Sequence, residues 1–185
     1  TALEAARAFR LGVCATFPAA RTRLLPIADG GDGLMDCLLS HLGGRRFWVR
    51  VVGPLGEPLR ACFARLSDGT AVVEMARASG LALVPLNRLD PLGATSFGTG
   101  QLIVAAIKQG ARRIIVGLGG SASSDGGAGM AQALGARLLD PQGRDLPPGA
   151  KALLGLERIE WVGARKFLKN VEVIAVSDVS NPLTG

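Results

Sequence analysis

The feature that most restricts this chain is the glycine-dense stretch Gly117-Leu118-Gly119-Gly120-Ser121-Ala122-Ser123-Ser124-Asp125-Gly126-Gly127-Ala128-Gly129-Met130. It follows the apolar run 113–116 and precedes a short helical pattern that ends near Gly135. Glycines strip away side-chain bulk and admit positive φ, and amides at a helix start can receive an anion such as phosphate. A strand, a glycine loop and a helix in that order point to backbone brought close to an anion; the plainer alternative is a surface turn. No Lys follows the glycines at the spacing of a Walker-type loop, which excludes that motif.

The rest of the composition is that of a folded globule, 185 residues with 48% hydrophobic. The net charge of +6 comes from dispersed arginines without aromatic interleaving. Nucleic-acid binding needs a concentrated basic footprint, so an acidic small molecule suits this charge better. Cys14, Cys37 and Cys62 have no paired spacing and read as small buried hydrophobes in a reducing, cytoplasmic setting. With His41 as the single histidine, neither a zinc cluster nor a histidine-based triad is expected. No run has the length of a membrane span. The chain opens inside a helical pattern without Met and stops just after a strand-like run, so a fragment is expected.

Taken in order, Thr1-Ala2-Leu3-Glu4 has capping-box spacing ahead of a helix that reaches about Cys14. Residues 23–27 read as a short strand with Pro26 at its end. Then comes Ala28-Asp29-Gly30-Gly31-Asp32-Gly33 and a helix with Leu34, Leu38 and Leu42 on one face. Asp29 is either an Asx-turn residue or a functional carboxylate, and Asp32 is either a helix cap or a catalyst. His41 falls in the last turn of that helix, as a cap or dipole partner. From Arg45 the period changes to two, and the turns at 53–56 and 67–69 join three strands into an antiparallel meander. Glu74 and Arg77 either pair on the surface or line a site for a polar acid, with Arg77 offered to its carboxylate. Thr95, Ser96 and Thr99 precede a helix that runs to Gly110 and can cap it or line a phosphate pocket. Residues 136–139 and 171–176 read as strands, 151–156 as a brief helix, and 158–169 show no clean period. Asp178, just past the last strand, is either a metal or hydroxyl ligand or a turn residue.

Six pieces in order, 28–33, 53–56, 74–81, 90–103, 117–130 and 178–185, resemble the bacterial-type glycerate kinases, which phosphorylate D-glycerate from ATP. The resemblance runs along essentially the whole chain. This sequence departs from the family pattern at Asp32 and Gln101, where Glu is usual, and at Ser124, where Asn is usual. Arg77 stands where the family often has a small or amide side chain. The family also has a strand and an Asp-Ser-Phe-Lys segment upstream of the position of Thr1, and continues beyond that of Gly185.

The resemblance implies an α/β fold of two domains. Residues 1–44 would be part of a flavodoxin-like three-layer domain, incomplete here, and 45–185 an inserted mixed α/β domain carrying the glycine loop. It implies ATP and Mg²⁺ as cofactors and D-glycerate as substrate, with 2-phosphoglycerate the favoured product and no nucleic-acid or membrane partner. Gly119, Gly120, Ser121, Ser123 and Thr99 are then the nucleotide contacts, and Arg77, Asp32 and Glu74 the substrate contacts. Asp29, Asp125 and Asp178 share catalysis, with Asp178 and Asp125 as metal ligands. The alternatives are a kinase for another small hydroxy acid and a nucleotide-binding module without chemistry. A truncated sheet leaves edges that invite pairing, so homo-oligomers are a further expectation.

Overall fold

The computed structural model describes residues 2–28, 30–177 and 179–180. Thr1, Asp29 and Asp178 lie outside the described residues, and with them the capping box and two of the three expected catalytic carboxylates. The fold is α/β. Helix α1 (Ala2–Thr16) buries none of its residues, whereas α2 (Leu34–Leu42) buries Leu34 and Met35. The period-two region forms β1 (Gly44–Val52), β2 (Pro58–Leu66) and β3 (Ala71–Glu74), paired antiparallel as the turn chemistry predicts. At the second turn Asp68 Oδ1 accepts the Thr70 amide at 2.9 Å. That amide and the Thr70 hydroxyl hold the Asp68 carboxyl below its ordinary pKa.

Beyond β3 the chain changes to helix-then-strand order. Helices α3 (Ala76–Ser79) and α4 (Phe97–Lys108) lead to β4 (Arg113–Gly117), and α5 (Ala128–Ala133) follows it. Strands β5 (Arg137–Leu139) and β6 (Arg158–Glu160) make a separate antiparallel pair, then α6 (Val162–Phe167) returns the chain to β7 (Glu172–Val176). The main sheet has the order β1-β2-β3-β4-β7, with β3, β4 and β7 parallel.

Alternation along the strands divides the sheet into two apolar faces. Phe47, Val51, Phe63, Val73, Ile114 and Val116 meet Leu102, Ile103 and Ala106 of α4 on one side, where the Phe47 and Phe63 rings stack at 5.2 Å. On the other side Cys62, Ala64, Leu66 and Val72 pack under Leu34 and Met35 of α2. Burial pushes the Cys62 thiol up, so it behaves as an apolar group. Since α2 covers the same sheet that β1 begins, packing continues across the expected boundary at Arg45.

Two local readings differ from the structure. Residues 23–27 form no strand, and 158–169 hold both β6 and α6. No helix among the described residues is long and apolar enough to cross a membrane.

Candidate functional site

Strands β3, β4 and β7 end in register at one edge of the sheet, Glu74 beside Gly117 and Gly117 beside Val176. Ligands of open α/β sheets sit beyond such carboxyl ends. Here the loops that leave this edge are fastened backbone to backbone. Met75 N donates to Gly117 O at 2.9 Å, Leu118 N to Val176 O at 3.0 Å and Gly119 N to Gly30 O at 3.1 Å. The approach leaves no space for side chains: a Cβ on Gly117 would stand 2.5 Å from Gly30 O, and one on Gly119 would stand 2.6 Å from Gly31 Cα. Gly30, at φ +95°, lies equally close to the Val176 carbonyl. The described neighbours of Asp29 and Asp178 are thus joined to the glycine loop. Gly119→Ala is expected to push the two loops apart and lower stability by about 1–3 kcal/mol, as overpacking does. A shift in the urea midpoint measures this.

The amides that open α5 already hold an anion, and it belongs to the protein. Asp125 is 1% exposed. Its Oδ2 accepts from Ser96 N at 2.8 Å, Ser96 Oγ at 2.9 Å, Gly129 N at 3.1 Å and Thr95 Oγ1 at 3.5 Å, while Oδ1 accepts from Gly127 N at 3.1 Å. Ser96 Oγ also accepts the Met130 amide at 2.9 Å. Asp125 therefore ties the starts of α4 and α5 together. Thr99 is fully buried and its hydroxyl donates to Ser79 Oγ at 2.9 Å.

What remains available to a ligand is the crest of the loop. Gly120 is exposed, and Gly119, Ser121 and Ser123 are half-buried. Gly120 O accepts the Leu81 amide, Ala122 N donates to Ser79 O, and Ser121 Oγ accepts the Ser123 amide at 3.1 Å. These bonds fix the crest against 79–81.

Glu74 supplies the cap of α2 from the end of β3. Its Oε1 accepts from Gly33 N at 3.0 Å and Met35 N at 2.8 Å, and its Oε2 pairs with Arg77 Nε. The side chain is 1% exposed, so the expected pair of Glu74 with Arg77 forms with its carboxylate buried rather than at the surface. Burial draws the Arg77 guanidinium down, but the hydrogen bond and charge of Glu74 outweigh it and leave its pKa raised. The N-cap position of α2 is Gly33, in the left-handed conformation, and Glu74 rather than a neighbour in the chain supplies the carboxylate there. His41 does act locally, its Nδ1 lying 2.8 Å from Cys37 O in the last turn.

Asp32 and Arg77 line two cavities on the α2 side of the sheet. The larger, about 1080 Å³, is bounded by Pro26, Asp36, Ser40, Arg45 and Arg46 among others, with Asp36 paired to both Arg46 and Arg77. The smaller, about 260 Å³, is lined by Trp48, Arg60, Ala76 and Leu83 among others. Among the described residues no three His, Cys, Asp or Glu side chains gather as a metal cluster. Mg²⁺ requires only one or two carboxylates when phosphates complete its shell. The carboxylates, hydroxyls and carbonyls at this edge are of the oxygen type it takes.

Sequence reasoning did not single out Trp48 or Arg60 as site residues. The available signal was the period of two, which sets Trp48 on the face opposite Phe47, Val49 and Val51. It could not show that this face would be walled by Asp32 and Arg77.

The glycerate kinase family model matches residues 1–185. The chain is 52% identical to a glycerate kinase of Bacillus subtilis (strain 168) over 186 residues, covering 100% of this chain and 49% of that protein. It is 45% identical to the glycerate 2-kinase of Escherichia coli (strain K12), again across 100% of this chain and 49% of the relative. A crystal structure described as a glycerate kinase 2 from Salmonella typhimurium LT2 superposes with a TM-score of 0.88 at 46% identity, covering 100% of this chain and 50% of that one. The chain thus spans about half the length of the relatives it matches. Agreement of sequence and backbone along all 185 residues leads to one conclusion: this chain belongs to the glycerate kinase family.

Proposed function

We propose that the chain forms part of an ATP-dependent kinase that phosphorylates a hydroxyl of D-glycerate, with 2-phosphoglycerate the favoured product. The observation that supports this reading is the backbone junction of Gly30, Gly117–Gly119 and Val176, which joins described residues near Asp29 and Asp178 in the chain to the glycine loop. In the reaction the substrate hydroxyl oxygen forms a bond to the γ-phosphorus. The bond from that phosphorus to the bridging oxygen breaks, ADP leaves with the bonding pair, and the hydroxyl proton passes to a base. Gly119, Gly120, Ser121 and Ser123 receive the phosphates from the exposed crest. Asp29 and Asp178 supply the base and the metal carboxylate, while Asp125 keeps the loop in shape. Bound Mg²⁺ supplies charge neutralisation on the phosphate oxygens.

The two-domain organisation with a flavodoxin-like layer belongs to the same proposal. So does a cytoplasmic location, which suits the free thiols of Cys14, Cys37 and Cys62.

Phosphorus NMR of the product made by the full gene product from ATP and D-glycerate tests the reading. A 2-phosphoglycerate signal is expected, and no phosphoglycerate at all defeats it. Asp29→Asn and Asp178→Asn are each expected to lower turnover about 100-fold, the lower end for general acid–base groups. Near-native rates in both variants would remove these residues from the mechanism.

A further inference from the structure

The 260 Å³ cavity is lined by two arginines, Arg60 and Arg77, and one carboxylate, Asp32. Arg77 is engaged twice, by Glu74 at Nε and by Asp36 at Nη2. Arg60 enters no ion pair among the described residues; its guanidinium carbon lies 5.1 Å from the centre of the Trp48 ring. The pairing of β1 with β2 sets Arg60 directly opposite Arg50 and diagonal to Trp48. Like charges directly opposite on an antiparallel pair repel, and an anion bound between strand and cavity would relieve that repulsion. Stacking on Trp48 restrains the planar fork of Arg60, which lowers the ordering cost of a bidentate carboxylate contact.

From these observations we infer that Arg60, held by Trp48, anchors the carboxylate of the small hydroxy acid; the assignment rests on the kinase reading above. The cavity, about 260 Å³, has room for a short acid. Its wall at Ala76 abuts the glycine loop, since a Cβ on Gly120 would stand 3.2 Å from that of Ala76. An acid tethered at Arg60 therefore extends its hydroxyl end past Asp32 towards the phosphate crest. The anchor is a binding contact, distinct from the groups that handle the proton.

The test is steady-state kinetics of the full gene product and its Arg60→Ala and Arg60→Lys variants, with D-glycerate and ATP varied separately. Arg60→Ala is expected to raise the KM for D-glycerate about 10- to 100-fold, the worth of one charge-assisted contact, with the KM for ATP unchanged. Arg60→Lys restores part of the loss, because an ammonium keeps the charge without the fork. Arg60 is exposed, so the variants should keep the parent urea midpoint. An unaltered KM for D-glycerate in an active Arg60→Ala enzyme overturns the anchor and leaves the kinase reading standing. If the parent makes no phosphoglycerate, the kinase reading falls and calorimetric titration with D-glycerate decides the anchor. Binding by the parent that Arg60→Ala loses supports it; equal binding, or none by either, overturns it.

Discussion

Asp125→Ala is expected to be the most destabilising single change in the described structure, lowering the unfolding free energy by about 4 kcal/mol, the upper range for single substitutions. Removing the carboxylate strands Ser96 N, Gly127 N and Gly129 N, and leaves the Ser96 hydroxyl without its acceptor. A buried donor left unpaired costs about 1–3 kcal/mol, although several sharing one site do not sum in full. Water cannot easily replace the acceptor at a group only 1% exposed. Asp125→Asn separates shape from charge. Every partner of Asp125 is a donor, so an amide nitrogen must face one of them, and a loss of about 2 kcal/mol is expected. Urea titrations monitored by circular dichroism measure both. Parent-like midpoints in the two variants would contradict the brace between α4 and α5.

Glu74→Ala should follow closely, with a loss of about 3 kcal/mol, the lower end for breaking a buried charge pair, since Arg77 keeps Asp36 as a partner. The variant frees Arg77 Nε and uncaps Gly33 and Met35 at once. Arg77→Ala should cost less, because Arg77 is 29% exposed and Glu74 keeps both helix amides. The order of the two midpoints is the informative result. If Arg77→Ala proved the costlier, the ion pair rather than the helix cap would be the main role of Glu74.

The legible parts of the sequence were those governed by neighbours in the chain. Gly53-Pro54-Leu55-Gly56 and Ser67-Asp68-Gly69 announce tight turns, and alternation from Phe47 to Val51 announces β1. The glycine loop likewise declared that backbone would come close to something. What it approaches is partly Gly30 and Gly31, which no local pattern reveals. The roles of Glu74 and Asp125 were hidden for the same reason. Glu74 meets amides 39 and 41 positions away, and Asp125 meets Ser96 29 positions away. A carboxylate beside glycines looks the same in sequence whether it faces a magnesium ion or a helix start. Residues 158–169 were opaque because β6 and α6 are three and six residues long, too short for a period to emerge.

Parallel pairing of β3, β4 and β7 also assigns different freedoms to the two rims of the sheet. At the rim where those strands begin, Arg112 and Asn170 sit in exposed turns, and Asn170 takes the left-handed conformation that asparagine tolerates. Lengthening or grafting sequence there leaves the junction of Gly30, Gly117 and Val176 untouched. At the opposite rim, main chains touch with nothing between them, and a methyl group added at Gly30, Gly117 or Gly119 would press on a neighbouring segment. Diversification of this architecture by insertion is therefore channelled to one side of the molecule, away from the rim where the glycines leave no room.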